Sequence, residues 1–532
     1  MTTPYGSYLA GHFAGADGDV DAAAHYYNET LKADSSDDLL QSAFLYSAMA
    51  GDLSRASELA KQIIATDPGN RMARLVLAVE AIGKKDYAGT SDQLAQSASG
   101  PFTVLTSGML NAWAHEGAGN TDAALQSLDG LSGQQGVEGI VAFHRALILD
   151  HAGRNRDADA AYRNALMIQG GNARVVEAYG RFLERQGRTA DAKTFYQQQQ
   201  AQNPQTAVAA ALRRLSQSSS KPEALVSTPA DGVAEVLFGF AASLSDPRNS
   251  DSSALYLRLS LVLRPNFDLA KILLADRYES ADKFDTANDI YRTVPASSPY
   301  HATVQIQAAV NESQMGHSDQ SIATLRQLTT EQPDNLDAWI TLGDLLRTTH
   351  KNQEAVDAYN KAVALLPAPD AGHWSLFFTR GVAESETGDW AGAERDFNEA
   401  LKLNPDQPDV LNFLGYSWVT QNRKLDEALQ MLERAYTLRA SDGYIADSVG
   451  WAYYKLGRYK DAAEMLEKAV SLAGGAADIN DHLGDAYWRV GRKLEARFQW
   501  NHALAVDPNY TEKSAVERKL QYGLDAPVAG GS

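Results

Sequence analysis

Apolar residues recur along this chain at steps of three and four, the period of a helix lying on a core, and small residues interrupt them at fixed places. The pattern is cleanest from Trp339 to Pro367. Leu342, Gly343 and Leu346 share a helix face with Trp339, and Ala355, Tyr359 and Ala362 recur at helical spacing on a second segment. Gly343 and Ala355 have little or no side chain, so two helix axes can approach closely there, with Trp339 and Tyr359 expected to fill the space at either end. Pro367 stops the second helix. The stretch predicts a two-helix hairpin.

The same hairpin repeats. Stepping thirty-four residues back from Trp339 lands on Gln305, Lys271 and Leu237, in units that carry Leu325 and Pro333, then Leu274, Ala287, Tyr291 and Pro299, then Leu257 and Pro265. Forwards, an insertion of four residues near Pro369–Gly372 is followed by Phe377, Gly381, Ala393, Phe397 and Pro405. Leu411, Ala446 and Asn480 open three more units, each with its Leu/Val-Gly pair (Leu414-Gly415, Val449-Gly450, Leu483-Gly484); one extra residue near Leu425 shifts the step. Fainter units begin near Ser7, Leu40, Arg74, Gly108, Ala142 and Val176, with turn signals at Gly51-Asp52, Gly153-Arg154 and Gly187-Arg188. Such a period marks a stacked array in which each unit buries its apolar face on the next.

These residues resemble the tetratricopeptide repeat, a helix-turn-helix unit of thirty-four residues. The resemblance implies an all-α solenoid of helical hairpins wound as a right-handed superhelix, with about fourteen repeats in two blocks. Six repeats and a further helix are expected over 1–217, a linker over 218–230 where Pro222 and Pro229 break the beat, and eight repeats over 231–510. A capping helix and a Gly-rich tail are expected over 511–532.

Composition narrows the chemistry. The 532 residues are 44% hydrophobic and 22% charged, as in globular chains, and contain no cysteine, which excludes disulfides, thiolate metal sites and cysteine nucleophiles. The net charge of −19 argues against nucleic acid as a partner. Residues 301–400 alone hold fifteen Asp/Glu against six Lys/Arg, a pattern met on solvated helix faces and on surfaces that attract basic partners. No apolar run is long enough for a membrane helix, and the opening Met1-Thr-Thr-Pro lacks the form of an export signal, so the sequence as it stands is expected in the cytoplasm. A missing upstream signal would make it periplasmic or envelope-associated.

No catalytic motif is present: neither His-Glu-x-x-His, nor a phosphate-binding Gly-rich loop, nor a Gly-x-Ser-x-Gly elbow. His144 and His151 lie two turns apart near Asp150, short of the three or four converging ligands a metal needs. No cofactor is expected and the chain is read as non-enzymatic. The informative residues are instead those on the first helices of the last three repeats that the hairpin core does not require. Asn412 and Tyr416, then Asp447, Trp451 and Tyr454, then Asp481, Asp485 and Trp488, form a stripe about a third of a turn from the core face. In tetratricopeptide repeat proteins this stripe lines the concave groove that binds peptides. The basic clamp that some relatives use for acidic chain termini is absent from it.

The segments from Asp409 to Trp418, Ser441 to Trp451 and Ile479 to Trp488 are similar to a group of long proteobacterial repeat proteins, often exported or attached to the cell envelope. The function these readings imply is a scaffold that binds a protein or peptide, with carboxylates that favour one carrying Lys or Arg, in the groove of the C-terminal repeats. The alternative is a regulatory or substrate-holding arm of a separate enzyme, with polysaccharide as a ligand that aromatic stripes also stack against.

Overall fold

The structure, a computed structural model, describes residues 3–97, 100–131, 136–217, 221–244, 246 and 250–524. Among them are thirty α-helices and no strand, the all-α hairpin solenoid that the periodicity predicts. Where one helix turns into the next, one residue adopts the left-handed conformation. The series runs from Gly18 and Gly51 through Lys85 to Gly187, and again from Asp282 through His350 to Gly491, with φ between +45° and +87°. Glycine holds this conformation without the Cβ penalty that other residues incur. The following position often caps the second helix: Asp52, Asp86 and Asp389 each accept the backbone N–H three residues on, at 2.9–3.0 Å. The extra residue near Leu425 sits in such a turn, where Asn422 and Lys424 are both left-handed.

A second column of glycines holds the paired helices together. A Cβ on Gly343 would lie 2.4 Å from Tyr359 Cε1, on Gly381 2.7 Å from Phe397 Cε1, on Gly450 2.6 Å from Leu466 Cγ and on Gly484 2.5 Å from Trp500 Cδ1. In each hairpin the large residue sixteen places on therefore packs against bare backbone. Trp339 does not fill the hairpin core as its spacing suggests; it is half-buried, its indole N–H donates to the Pro333 carbonyl at 3.0 Å, and Ala338 takes the buried position.

The chain forms two compact units, Met1–Gln320 and Ser321–Ser532. Residues 221–230 lie in the first unit, with Leu225 and Val226 buried in its core; Ser218–Ser220 and the tail from Asp525 fall outside the described residues. After the helix Thr206–Gln217, the helices Pro229–Ser243 and Ser250–Leu263 do not simply extend the stack. Pro229–Ser243 packs on Arg71–Gly83, Pro101–Gly117 and Glu138–His151, and Ser250–Leu263 on Asp37–Met49 and Arg71–Gly83, all first helices of earlier hairpins. Gly232 fits against the buried Trp113 ring, and Val233, Val236, Leu237 and Leu257 are fully enclosed. Glu235, buried on the inserted helix, is bound by Arg174 and by Arg264 at 2.9 Å. The inner face of the first unit is filled by the chain itself.

His144 and His151 take part in this packing. Nδ1 of His144 accepts the Trp113 indole N–H at 3.0 Å, and burial pushes its pKa down to about 3, so it stays neutral. His151 faces Glu116 at 2.7 Å. No group of three or more potential metal ligands exists among the described residues.

Two outcomes follow for stability. Gly450→Leu should overpack its hairpin by roughly 1–3 kcal/mol, whereas His350→Gly, at φ +59°, should raise stability by up to about 1 kcal/mol; calorimetric melts of the two variants should move in opposite directions. Glu235→Gln removes the charge that two arginines share and should destabilise the first unit by about 3–5 kcal/mol, read as a lower denaturant midpoint.

Candidate partner-binding groove

With the first unit's inner face occupied, the candidate surface lies in the second. There the first helices Pro408–Thr420, Gly443–Lys455 and Ala477–Arg489 touch one another directly, as well as their own hairpin partners. Gly415, Gly450 and Gly484 set a common rotation for the three, because each must present bare backbone to its partner helix. The remaining positions then fall into columns: Asn412, Asp447 and Asp481; Tyr416, Trp451 and Asp485; Val419, Tyr454 and Trp488.

The aromatic members remain half-buried, and two of them join a stack that crosses from one repeat to the next. Tyr454 lies on Trp451 with ring centroids 4.7 Å apart and planes 6° from parallel, and Trp451 lies on His482 at 4.0 Å and 14°. His482 Nδ1 is 2.9 and 3.0 Å from the two carboxylate oxygens of Asp447, which is only 4% exposed. Burial opposes the imidazolium, but the charge and hydrogen bond of Asp447 outweigh it, and Asp481 and Asp485 add to the pull, so the His482 pKa is raised. Arg489 Nε donates to the Tyr454 hydroxyl at 3.3 Å, and the Lys455 ammonium stands 5.3 Å from the Trp451 ring centre. Tyr416 belongs to the same face: burial first, then the charges of Asp447 and Asp478, push its hydroxyl pKa up to about 12. Asn412 Oδ1 is buried with no hydrogen-bond partner.

The carboxylates do not present open negative charge. Asp481 and Asp485, 5% and 6% exposed, both bind the Lys519 ammonium, at 2.7 Å for Asp481 and 2.8–2.9 Å for Asp485. Asp485 also accepts the indole N–H of the enclosed Trp500 at 3.0 Å. Trp488 packs on Trp500 at 5.4 Å between ring centres and carries the Lys493 ammonium 3.6 Å over its face.

The eight residues of the sequence stripe thus divide. Tyr416, Trp451 and Tyr454 form a half-buried aromatic surface with the buried Asp447 beside it, Asp481, Asp485 and Trp488 lie under the C-terminal segment Lys513–Gly523, and Asn412 is set apart with its buried Oδ1. His482 and Lys519 were not among them. Lys519 was within reach of the period, since it lies thirty-four residues beyond Asp485 in the same column. His482 occupies the position of Phe413 and Ser448, where residue type varies too much to signal a role.

A tetratricopeptide repeat family model matches residues 306–368, 378–444 and 450–510. The chain is similar to the TPR repeat-containing protein PA4667 of Pseudomonas aeruginosa, 26% identical over 148 residues, which is 28% of this chain and 24% of the relative's length. Among solved structures, the Cut9–Hcn1 hetero-tetramer of the APC/C aligns over 99% of this chain and 97% of its own, with a TM-score of 0.40 and 14% identity. The pilF protein of Pseudomonas aeruginosa aligns over 44% of this chain and 99% of its own, with a TM-score of 0.35 and 19% identity.

The raised pKa of His482 gives the groove a pH signature. The pair with Asp447 contributes stability in full below the unfolded imidazole value of 6.5 and loses it as pH rises through the higher folded value. The melting temperature of the native chain should therefore fall across this window relative to His482→Gln, a difference that melts from pH 5 to 9 would expose.

Proposed function

We propose that the chain, which carries tetratricopeptide repeats where the family model matches it, is a non-enzymatic scaffold whose second unit holds a protein or peptide segment along the inner face of Pro408–Thr420, Gly443–Lys455 and Ala477–Arg489. The observation that carries this is the stack of Tyr454, Trp451 and His482, which spans two repeats and leaves Trp451 and Tyr454, like Tyr416, only half-buried. Val449, Ala452 and Leu483 are the buried residues that close the core between neighbours, and Trp451 packs from the half-buried rim on the cluster that holds Val449 and Ala452. Rigid aromatics with one free edge are the residues on which interfaces concentrate their energy. A segment with Lys or Arg side chains suits the site, because guanidinium and ammonium groups stack on such rings.

The test begins with affinity capture of partners from the native cell and continues with the identified partner in pure form. Trp451→Ala should weaken its binding about thirtyfold, roughly 2 kcal/mol, while circular dichroism still reports a folded chain. Added salt should weaken the native complex further. Undiminished binding by folded Trp451→Ala would remove the groove from the interface, and affinity for polysaccharide in place of protein would favour the arm of a separate enzyme.

A further inference from the structure

The helix Lys513–Tyr522 stands where one more thirty-four-residue step would start another first helix, and it covers the end of the groove. Through the single ammonium of Lys519 it binds both Asp481 and Asp485. Beyond it the chain turns at Gly523, with φ +75°, so closely against Trp488 that a Cβ there would lie 2.0 Å from ring atom Cζ2. Three of the stripe residues are thereby hidden by the chain's own C-terminal segment.

The cover and its floor are held unequally. Val516 is the only buried residue of the covering helix, and most of the others face solvent; Arg497 adds one hydrogen bond, to the Leu520 carbonyl at 2.7 Å. A helix of ten residues has little stability of its own. The floor, in contrast, belongs to Ala477–Arg489, which buries nine residues, and Asp485 is fixed there by the Trp500 indole. Burial and the charge of Asp485 both raise the pKa of Asp481, so a cation seated between the two carboxylates favours their ionised form. The site is thus a rigid acidic pocket with an ammonium group seated in it, delivered by a lightly fastened segment.

We infer that the Asp481–Asp485 pocket is a lysine-recognition site, that Lys513–Tyr522 is its resident occupant in cis, and that a partner entering the groove displaces this helix by presenting a lysine of its own. The inference rests on the groove reading above and adds to it both the chemistry of the partner and the segment that competes with it.

The experiment uses the full chain and a fluorescent synthetic peptide with the sequence of residues 511–524, alongside the same peptide with methionine in place of Lys519. Val516→Ser loosens the covering helix without touching the pocket. In the native chain, backbone amides of 516–522 should exchange with solvent deuterium at least about tenfold faster than those of Ala477–Arg489, and faster again in Val516→Ser. The lysine peptide should bind Val516→Ser about tenfold more tightly than the native chain. The methionine peptide, or Asp481→Asn with Asp485→Asn in the same background, should lose that gain. Amides of the covering helix that exchange only together with the repeats, in both chains, would make it a fixed cap and overturn the proposal. So would a helix that opens while the two peptides bind alike or not at all. An identified partner that still depends on Trp451 in that case would leave the groove standing and remove only the lysine pocket.

Discussion

The structure depends on one steric requirement: in each hairpin of the second unit a large side chain must meet bare backbone on the facing helix. Tyr359 against Gly343, Phe397 against Gly381 and Trp500 against Gly484 are the same contact made three times. Close-packed interiors leave no slack to absorb a Cβ at such a point. The contact therefore fixes the rotation of every first helix, and with it which side chains look inward. The columns of the candidate groove are a by-product of that rotation, so the candidate surface is as precisely placed as the core.

The two units use the same repeat to opposite ends. In the first, Pro229–Ser243 and Ser250–Leu263 lie on the inner helices of earlier hairpins, with Glu235 tying the inserted helix to Arg174 and Arg264. In the second, the inner face is lined by Tyr416, Trp451 and Tyr454 and covered only at its end, where Lys519 reaches Asp481 and Asp485. Aromatic residues fully enclosed in the first case remain half-open in the second, which is why the second carries the functional proposal.

Much of this was legible in the sequence, because the hairpin is written locally: Gly450 and Leu466 are sixteen residues apart, and Gly457 marks the turn between their helices. The inward columns were legible for the same reason, being positions at a fixed offset from those glycines. What escaped was everything that depends on a partner farther along the chain. Asp447 reads as an exposed acid until His482 is seen beside it, and Asp481 and Asp485 read as ligands for a foreign cation although Lys519 is already there. Likewise the apolar faces of Pro229–Ser243 and Ser250–Leu263 announce burial but not against what; four earlier hairpins contain the answer, and no local spacing encodes it.

That insertion also changes how the first unit must come apart. A stack in which each repeat touches only its neighbours can fray from an end, one repeat at a time, because its stability is a sum of nearest-neighbour terms. Helices that bridge from Asp37–Met49 to Glu138–His151 couple repeats more than a hundred residues apart in the chain. Their loss would strip the inner face of several hairpins at once. The hairpins from Asp37 to Gln169 are therefore expected to come apart together and to assemble late, since the bridging helices can dock only after the repeats they join have formed.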